Sequence, residues 1–204
     1  MRSLGVALLL AGVAVAVYQG WLYWGTGLSA DRANTDLRRR VIERIDDRAR
    51  HPERPAPRPV AAPRAPAASP PAGAIAILRI PSIGVNHAVV EGTDSVDLNR
   101  GPGHYTSTAY PWQDRGRVGI AGHRTTYGAP FWSLDELRAG DEVRLLTARG
   151  TFTYVVRGQR EVAPSRTGVL APTRRPTLVL TTCSPRFSDA RRLVVSAVRR
   201  PPTG

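Results

Sequence analysis

TLVLTTCSPRFSDARRLVV, residues 177–195, contains the only cysteine of this chain, Cys183, and sets the strand pattern of its C-terminal part. Two apolar runs, 177–183 and 192–198, are rich in β-branched residues, and a connection that contains Pro, Ser and Asp separates them. Such runs predict two strands that pair as antiparallel neighbours. That pairing would bring Cys183 and Arg192 to the same rim of the sheet.

Short β-branched runs separated by turn residues extend over the whole region from residue 74 onward. The segment WSLDELRAG (132–140) is the clearest short helix of this region, with Gly140 placed to end it. Strands dominate, and we predict a mostly β barrel or sandwich of about 130 residues. The other predicted strands lie in 74–85, 86–92, 117–123, 141–150 and 150–158.

The N-terminal residues have the composition of a membrane anchor. Residues 4–24 carry no charge and reach the length of about 20 residues that the hydrocarbon core of a membrane requires. Four aromatic residues crowd the C-terminal end of this run, as interfacial aromatics do. We predict an uncleaved anchor over residues 1–28 rather than a cleaved signal peptide, because no small-residue cleavage site follows the run cleanly.

Two segments separate this anchor from the strand-rich region. Residues 29–50 place Leu37, Val41 and Ile45 at four-residue spacing among charged residues, which predicts a solvated, charged stalk helix with a thin apolar stripe. Residues 51–73 contain eight prolines and predict an extended polyproline II spacer. A globular domain follows over residues 74–204.

The charge of the chain favours an anionic partner surface. The formal net charge is +13, and all 29 Lys and Arg positions are arginine. Such a surface suits lipid headgroups or wall polymers as well as nucleic acid. No helix-turn-helix, zinc-finger or RNA-binding aromatic motif is present in the sequence, so we do not predict a nucleic-acid partner.

Cys183 allows two interpretations. A free cysteine is often a small buried hydrophobe. An odd cysteine in an exported domain, however, cannot form an internal disulfide, and this one is predicted at the end of a strand, where a side chain can be presented at a rim. The attacking species is the thiolate, so a nearby cation or histidine would favour a nucleophilic role.

The chain offers four histidines as partners for the thiol. His51 lies in the spacer, and His87 lies in a strand-like run, where a structural or surface role is expected. His104 and His123 both lie in glycine-rich turns. His123 directly follows an apolar strand, as Cys183 does, and is therefore the preferred candidate, although spacing alone does not exclude His104.

The combined motifs resemble the sortase family, most closely the class E sortases of high-GC Gram-positive bacteria. The family signature is Leu-x-Thr-Cys, with a histidine at the end of an earlier strand and an arginine that opens the strand after the cysteine. The resemblance covers residues 74–199. It is carried by the segments 97–111, IAGHRTTYGAPFWSLDEL (120–137), GDEVRL (140–145), LTTC (180–183) and the Arg192 that precedes LVVSA.

This resemblance implies a closed eight-stranded β-barrel and an extracellular cysteine transpeptidase without a cofactor. Cys183 would attack the Thr–Gly carbonyl of a sorting motif, of the LAxTG or LPxTG type, and form a thioacyl-enzyme. An amine of a peptidoglycan precursor or a pilin would resolve it. His123 would transfer the proton and Arg192 would hold the substrate and its oxyanion. The N-terminus would be cytoplasmic and the domain extracellular, in a single-pass membrane protein.

The remaining candidates are substrate contacts and excluded neighbours. Strand alternation places Arg191 and Arg124 away from the site. Three acidic residues, Glu91, Asp94 and Asp97, form a small cluster that could suggest a calcium site. Acids in a turn-rich stretch are more often solvated, so we predict no metal. The predicted groove residues are His104, Tyr105, Thr181, Thr182 and Ser184, with a purely structural turn at 104–105 as the alternative.

Two other functions compete with the sortase interpretation. Another Cys–His envelope enzyme, an L,D-transpeptidase or a papain-like hydrolase, would also use Cys183. The residues before the thiol, Leu180-Thr181-Thr182, lack the Ser-x-Gly-Cys signature of the first, and the papain-like local pattern is absent. A non-catalytic basic module that binds wall polymers would instead leave Cys183 buried and inert.

Overall fold

A computed structural model describes residues 2–21, 25–52 and 73–201. Most of the predicted spacer, and residues 22–24 of the predicted anchor, lie outside the described residues. The helices are α1 (Arg2–Gly20), α2 (Thr26–Arg50) and the single turn α3 (Ser95–Leu98). The strands are β1 (Ala74–Ile80), β2 (Val85–Glu91), β3 (Gly103–His104), β4 (Arg117–Ala121), β5 (Glu142–Thr147), β6 (Gly150–Val162), β7 (Thr177–Ser184) and β8 (Arg191–Arg199).

The eight strands close into a barrel in the order β1-β2-β3-β4-β7-β8-β6-β5. This arrangement confirms the prediction of a mostly β, closed eight-stranded barrel. Strands β4 and β7 are parallel, with Ala121 paired to Thr181. Strands β7 and β8 form the antiparallel pair predicted from the sequence, with Cys183 paired to Arg192. Closure removes the free strand edges that would otherwise favour aggregation.

Alternation along the strands separates the barrel interior from its outer face. On β7, Leu178 and Leu180 belong to the interior core, and Val179 belongs to a separate cluster with Val169 and Val194. Because side chains of a strand alternate between faces, Thr181 and Cys183 share the face of Val179. The active-site candidates therefore lie outside the packed interior, on the face formed by β4, β7 and β8.

The short helix predicted over residues 132–140 is not formed. The segment contains only a 3₁₀ turn, Leu134–Glu136. Phe131, Leu134 and Leu137 are all buried and lie three residues apart. Only Leu134 lies in the 3₁₀ turn, and Leu137 after it is extended, with φ −63° and ψ 136°, so the segment buries the three side chains without an α-helix.

The N-terminal helix α1 has many exposed apolar side chains, and seven of its Val and Leu residues between positions 6 and 17 are more than half exposed. Within residues 2–21, 25–52 and 73–201, no helix combines the length and the apolar character that crossing a membrane requires. The structure therefore does not support the predicted transmembrane helix over residues 4–24.

Helix α2 packs on the barrel, whereas the sequence predicted a solvated stalk. Leu37 and Val41 are 3% and 1% exposed and pack with side chains of β1 and β2. Burial of each such side chain contributes about 2 kcal/mol. The buried side-chain amide of Asn34 donates to the carbonyls of Ala88 and Arg100 at 3.1 and 3.0 Å, and its oxygen accepts from the Ala88 N–H at 3.0 Å. The apolar stripe is thus a docking face.

Candidate active site

The parallel pairing of β4 and β7 brings His123 and Cys183 to the same end of the barrel. Ala121 pairs with Thr181, and the Gly122 N–H continues this pairing with a 3.1 Å hydrogen bond to the Thr181 carbonyl. His123 and Cys183 each lie two residues beyond the paired position. Both residues line a cavity of about 350 Å³ that is open to solvent. The other lining residues are Arg124, Thr125, Thr126, Phe187, Ser188 and Asp189.

Cys183 is a free, half-buried cysteine at the rim of this cavity. Its neighbours in β7 point to the other face. The Thr182 hydroxyl donates to the Gly122 carbonyl at 2.8 Å, and the Ser184 hydroxyl donates to Glu161 at 2.5 Å. Both side chains are buried, so Thr182 and Ser184 support the strand and do not line the groove as predicted.

Arg192 lies directly across from Cys183 in the antiparallel register of β7 and β8. Its Nη1 donates to the carbonyls of Asp189 and Arg191 at 2.9 and 3.1 Å, which holds the side chain near the β7–β8 connection. The adjacent Arg191 forms an ion pair with Glu161 at 3.1 Å. Because a guanidinium has five N–H donors, these bonds leave Arg192 with donors for a further acceptor.

The imidazole of His123 is half-buried, and burial lowers its pKa below the ordinary value of 6.5. Its Nε2 is buried and has no hydrogen-bond partner among the described residues. The ring lies against that of Tyr127, with 4.9 Å between centroids. A neutral imidazole with an unused nitrogen can accept or donate a proton when a substrate enters the cavity.

His123 belongs to a tight segment, residues 122–131, which we call the histidine loop. The Phe131 N–H donates to the His123 carbonyl at 3.1 Å and closes the loop on itself. The Phe131 ring packs against Gly122, where a Cβ would lie only 2.6 Å from the ring. Glycine is therefore required immediately before the histidine.

Arg124 connects the histidine loop to the nucleophile strand, a role that the sequence did not predict. Its side chain is only 4% exposed and lines the cavity, although alternation suggested that it points away. It donates to the carbonyls of Trp132 and Cys183 at 3.2 and 3.4 Å and pairs with Asp135 at 2.8 Å. One signal was available, since Arg124 is a charged residue next to the candidate histidine that follows an apolar strand.

Tyr105 contacts Thr181, which shares the face of Val179 and Cys183 on β7. The Tyr105 and Thr181 hydroxyls form a hydrogen bond of 2.9 Å. The Tyr105 ring covers Gly119, where an added Cβ would lie 2.9 Å from the ring. Since Thr181 shares the face of Cys183, the Tyr105 and Thr181 hydroxyls are polar groups two residues along β7 from the candidate nucleophile.

His104 does not reach the groove. It is fully buried, and its Nδ1 lies 3.0 Å from Glu91 Oε1, while its Nε2 lies 3.1 Å from the Ala109 carbonyl. The Tyr110 hydroxyl also donates to Glu91, at 3.3 Å. These contacts support the structural alternative for His104 and give Glu91 a role inside the fold. His104 is therefore no partner for Cys183.

Together, the geometry supports nucleophilic acyl chemistry. Nucleophilic attack requires an accessible thiol, which Cys183 provides at the open rim. Proton transfer requires a group such as the His123 imidazole in the same cavity, and oxyanion stabilisation requires a donor such as the Arg192 guanidinium across the strand pair. The cavity is open to solvent, so the thiol is accessible from outside the barrel. Cys183 is thus not the sealed, inert thiol of a purely structural core.

Comparison with known proteins identifies the family. The family described as Sortase domain matches residues 78–200. Sortase D of Bacillus subtilis is 39% identical over 110 residues, which cover 53% of this chain and 54% of that protein. Sortase SrtE1 of Streptomyces coelicolor is 29% identical over 209 residues, which cover 95% of this chain and 55% of that protein.

The chain spans about half the length of these relatives. Among solved structures, sortase E from Streptomyces avermitilis is 38% identical with a TM-score of 0.56, and the match covers 63% of this chain and 88% of that one. The family match covers most of the barrel and more than half of the chain. The chain therefore belongs to the sortase family and is similar to its class E members.

Proposed function

We propose that this chain is a cysteine transpeptidase that cuts a sorting motif of the LAxTG or LPxTG type between Thr and Gly and joins the acyl part to an amine. The single observation that supports this proposal best is the shared cavity of Cys183 and His123 at the end of the parallel β4–β7 pair. The position of Arg192 across from Cys183 adds the cation that the chemistry requires.

In the first step, the Cys183 thiolate attacks the carbonyl carbon of the motif threonine. The carbonyl oxygen becomes an oxyanion, and the free donors of Arg192 stabilise it, a type of contribution worth about 3 kcal/mol. Collapse of this intermediate breaks the Thr–Gly C–N bond. His123, which takes up the thiol proton when the Cys183 thiolate forms, gives this proton to the departing glycine amine, and a thioester remains on Cys183.

In the second step, an acceptor amine attacks the thioester carbon. The C–S bond breaks, Cys183 leaves as the thiolate, and His123 takes the proton that the amine loses. A cell-wall precursor or a pilin supplies this amine in our proposal. Thioester chemistry lets an amine compete with water, provided that the bound peptide excludes water from the cavity.

We also propose that the chain works at the cell membrane, with the barrel on the extracellular side. Exposed Val and Leu side chains of α1 and the net charge of +13 support attachment to an anionic lipid surface. Membrane fractionation of the full chain, followed by protease treatment of intact cells, tests this placement. Recovery in the soluble fraction, or protection of the barrel from protease, would refute it.

Turnover of a synthetic peptide tests the proposed reaction. The full chain, incubated with an LAxTG peptide and a triglycine amine, should yield a product cut after Thr and joined to the amine, as measured by liquid chromatography and mass spectrometry. Cys183→Ala should yield none. His51→Ala, which changes an exposed histidine at the end of α2, is the matched control and should behave as the unmodified chain. Product formation by Cys183→Ala would exclude the proposed nucleophile.

A further inference from the structure

The first two turns of α2 contact the histidine loop. The Tyr127 N–H donates to the Thr26 hydroxyl oxygen at 3.4 Å, and Thr26 is 6% exposed. Gly27 faces Gly128, since a Cβ on Gly27 would lie 3.7 Å from the Gly128 nitrogen. A Cβ on Gly128 would lie 3.0 Å from an Asp31 carboxylate oxygen. Three residues of α2 therefore lie against the tip of the loop.

The loop is strained where α2 touches it. Tyr127 has a φ of 51° and Ala129 a φ of 45°, both in the left-handed region that residues with a Cβ avoid. Each such residue costs about 1 kcal/mol or more and persists only where its surroundings hold it. The Tyr127 ring in turn lies against the His123 ring. The contacts that fix Tyr127 therefore also restrict the position of the His123 imidazole.

Helix α2 is itself fixed firmly enough to hold the loop. The buried Asn34 amide binds both the β2 backbone at Ala88 and the Arg100 carbonyl. Leu37 and Val41 continue the contact along β1 and β2. The helix thus joins the wall of the barrel at one part of its length and the histidine loop at the other.

We propose that the N-terminal turns of α2 are a positioning element of the active site. Thr26 holds the backbone of Tyr127, and the Tyr127 ring holds the His123 imidazole in place for proton transfer with Cys183. Thr26 and Tyr127 are positioning residues, because neither needs to touch the substrate. This inference rests on the proposed role of His123, and it assigns a catalytic contribution to a segment that precedes the barrel.

Thr26→Val in the full chain tests the first contact, since valine keeps the shape and removes the acceptor for the Tyr127 N–H. We expect kcat for an LAxTG peptide to fall about fivefold, because small displacements of a catalytic group are costly, while KM changes less than about twofold. Ser29→Ala is the matched control. Ser29 lies in the same turn, is exposed and donates to the Thr26 carbonyl at 3.0 Å without contacting the histidine loop among the described residues, and its variant should keep full activity.

Tyr127→Leu tests the route from α2 to the imidazole. It removes the ring contact, keeps the backbone N–H, and should lower kcat by at least as much as Thr26→Val. The double variant should be no slower than Tyr127→Leu alone, because the effect of Thr26 passes through the ring. A further fivefold loss in the double variant would overturn this route. Circular dichroism and thermal unfolding check that each variant folds. If Thr26→Val does not fold, the test rests on Tyr127→Leu.

Alkylation of Cys183 by iodoacetamide, measured against pH without any peptide, separates this proposal from the proposed function. The charged groups near the thiol are His123, Arg192, Asp189 and Arg124, and neither variant changes them. We expect the alkylation rate near neutral pH to fall about threefold or more in both variants, because thiolate formation depends on the paired imidazole. If alkylation changes in the variants but the unmodified chain does not turn over the sorting peptide, the proposed sorting reaction is refuted and the positioning role is not. Unchanged alkylation in both variants would overturn the positioning role.

Discussion

Cys183, His123 and Arg192 come from three separate segments of the chain, and strand alternation determines which neighbours can join them. Thr182 and Ser184 flank the thiol in sequence but point into the fold, where both hydroxyls are satisfied. Alternation also distinguishes Arg192 from Arg191. At this scale the site depends on register, since a shift of one residue in β7 would turn Cys183 to the other face.

The adjacent arginines give a matched pair of variants. Arg192→Ala should lower kcat/KM for the sorting peptide about 100-fold, because it removes the cation that pairs across the strands from Cys183 and that we assign to the developing oxyanion. Arg191→Ala removes only a surface ion pair with Glu161 and should change kcat/KM less than about twofold. Steady-state kinetics on both variants provides the measurement. Equal losses in the two would contradict the assignment of Arg192.

The pH dependence of kcat/KM should reflect the buried imidazole. Burial disfavours the charged form of His123 and lowers its pKa, so the ring takes up a proton only in more acidic solution than an ordinary histidine. On the acidic side of the pH profile, kcat/KM rises as the fully protonated Cys183–His123 pair loses one proton. This holds whether the remaining proton lies on the thiol or on the imidazole. We expect the midpoint of this rise below 6.5 in rates measured from about pH 4 to 8. A midpoint above 6.5 would contradict this environment for His123.

At the scale of the elements, two strand pairs position the candidate site. The parallel β4–β7 pair brings His123 to the end of the barrel where Cys183 lies, and the antiparallel β7–β8 pair places Arg192 across from Cys183. The sequence predicted the three strands, because their apolar runs are bounded by turn residues, and it predicted the β7–β8 pairing from the short connection between them. It did not predict the parallel pairing of β4 with β7, which are far apart in the chain. It did not predict the 3₁₀ turn at Leu134–Glu136, since a period of three over so few residues resembles a helical one. Nor did it predict that the Leu37 stripe of α2 docks, because a sequence does not reveal what covers an apolar face.

The Tyr105–Thr181 hydrogen bond on the groove face should influence the choice of motif. Alanine at the second motif position has a backbone N–H that a groove hydroxyl can accept, whereas proline has none. Tyr105→Phe should therefore lower the ratio of LAxTG to LPxTG turnover by about threefold or more. Competition between the two peptides, quantified by mass spectrometry, measures the ratio. Thr151→Val, at an exposed position of β6, is the control, and an unchanged ratio in Tyr105→Phe would exclude the contact.

Considered as a whole molecule, the barrel and α2 form one packed unit. Closure of the barrel could be anticipated only through the resemblance to sortases, because the residues alone are equally compatible with a sandwich. The candidate triplet Cys183, His123 and Arg192 could also be named only with that resemblance, since spacing alone left His104 open as a partner of the thiol. Tyr127 and Arg124 could not, because their roles depend on contacts with Thr26, Cys183 and Asp135 that are distant in the chain.

The packing of α2 should contribute measurably to the stability of this unit. Asn34→Ala leaves the Ala88 N–H and two carbonyls without their partner, and should lower the free energy of unfolding by about 2 kcal/mol. Urea unfolding of the full chain measures this change. Asn86→Ala, at an exposed position of β2, should stay within about 0.5 kcal/mol of the unmodified chain. Equal stability of the two variants would mean that α2 does not dock as described.

The most direct test of the acyl-transfer mechanism is the intact mass of the protein after brief exposure to an LAxTG peptide without an added amine. We predict a covalent adduct that carries the peptide up to its threonine, located on Cys183 by peptide mapping and released when triglycine is added. If the peptide is cut while no adduct forms on Cys183, or if the adduct does not respond to the amine, this chain does not work through a thioester at that residue.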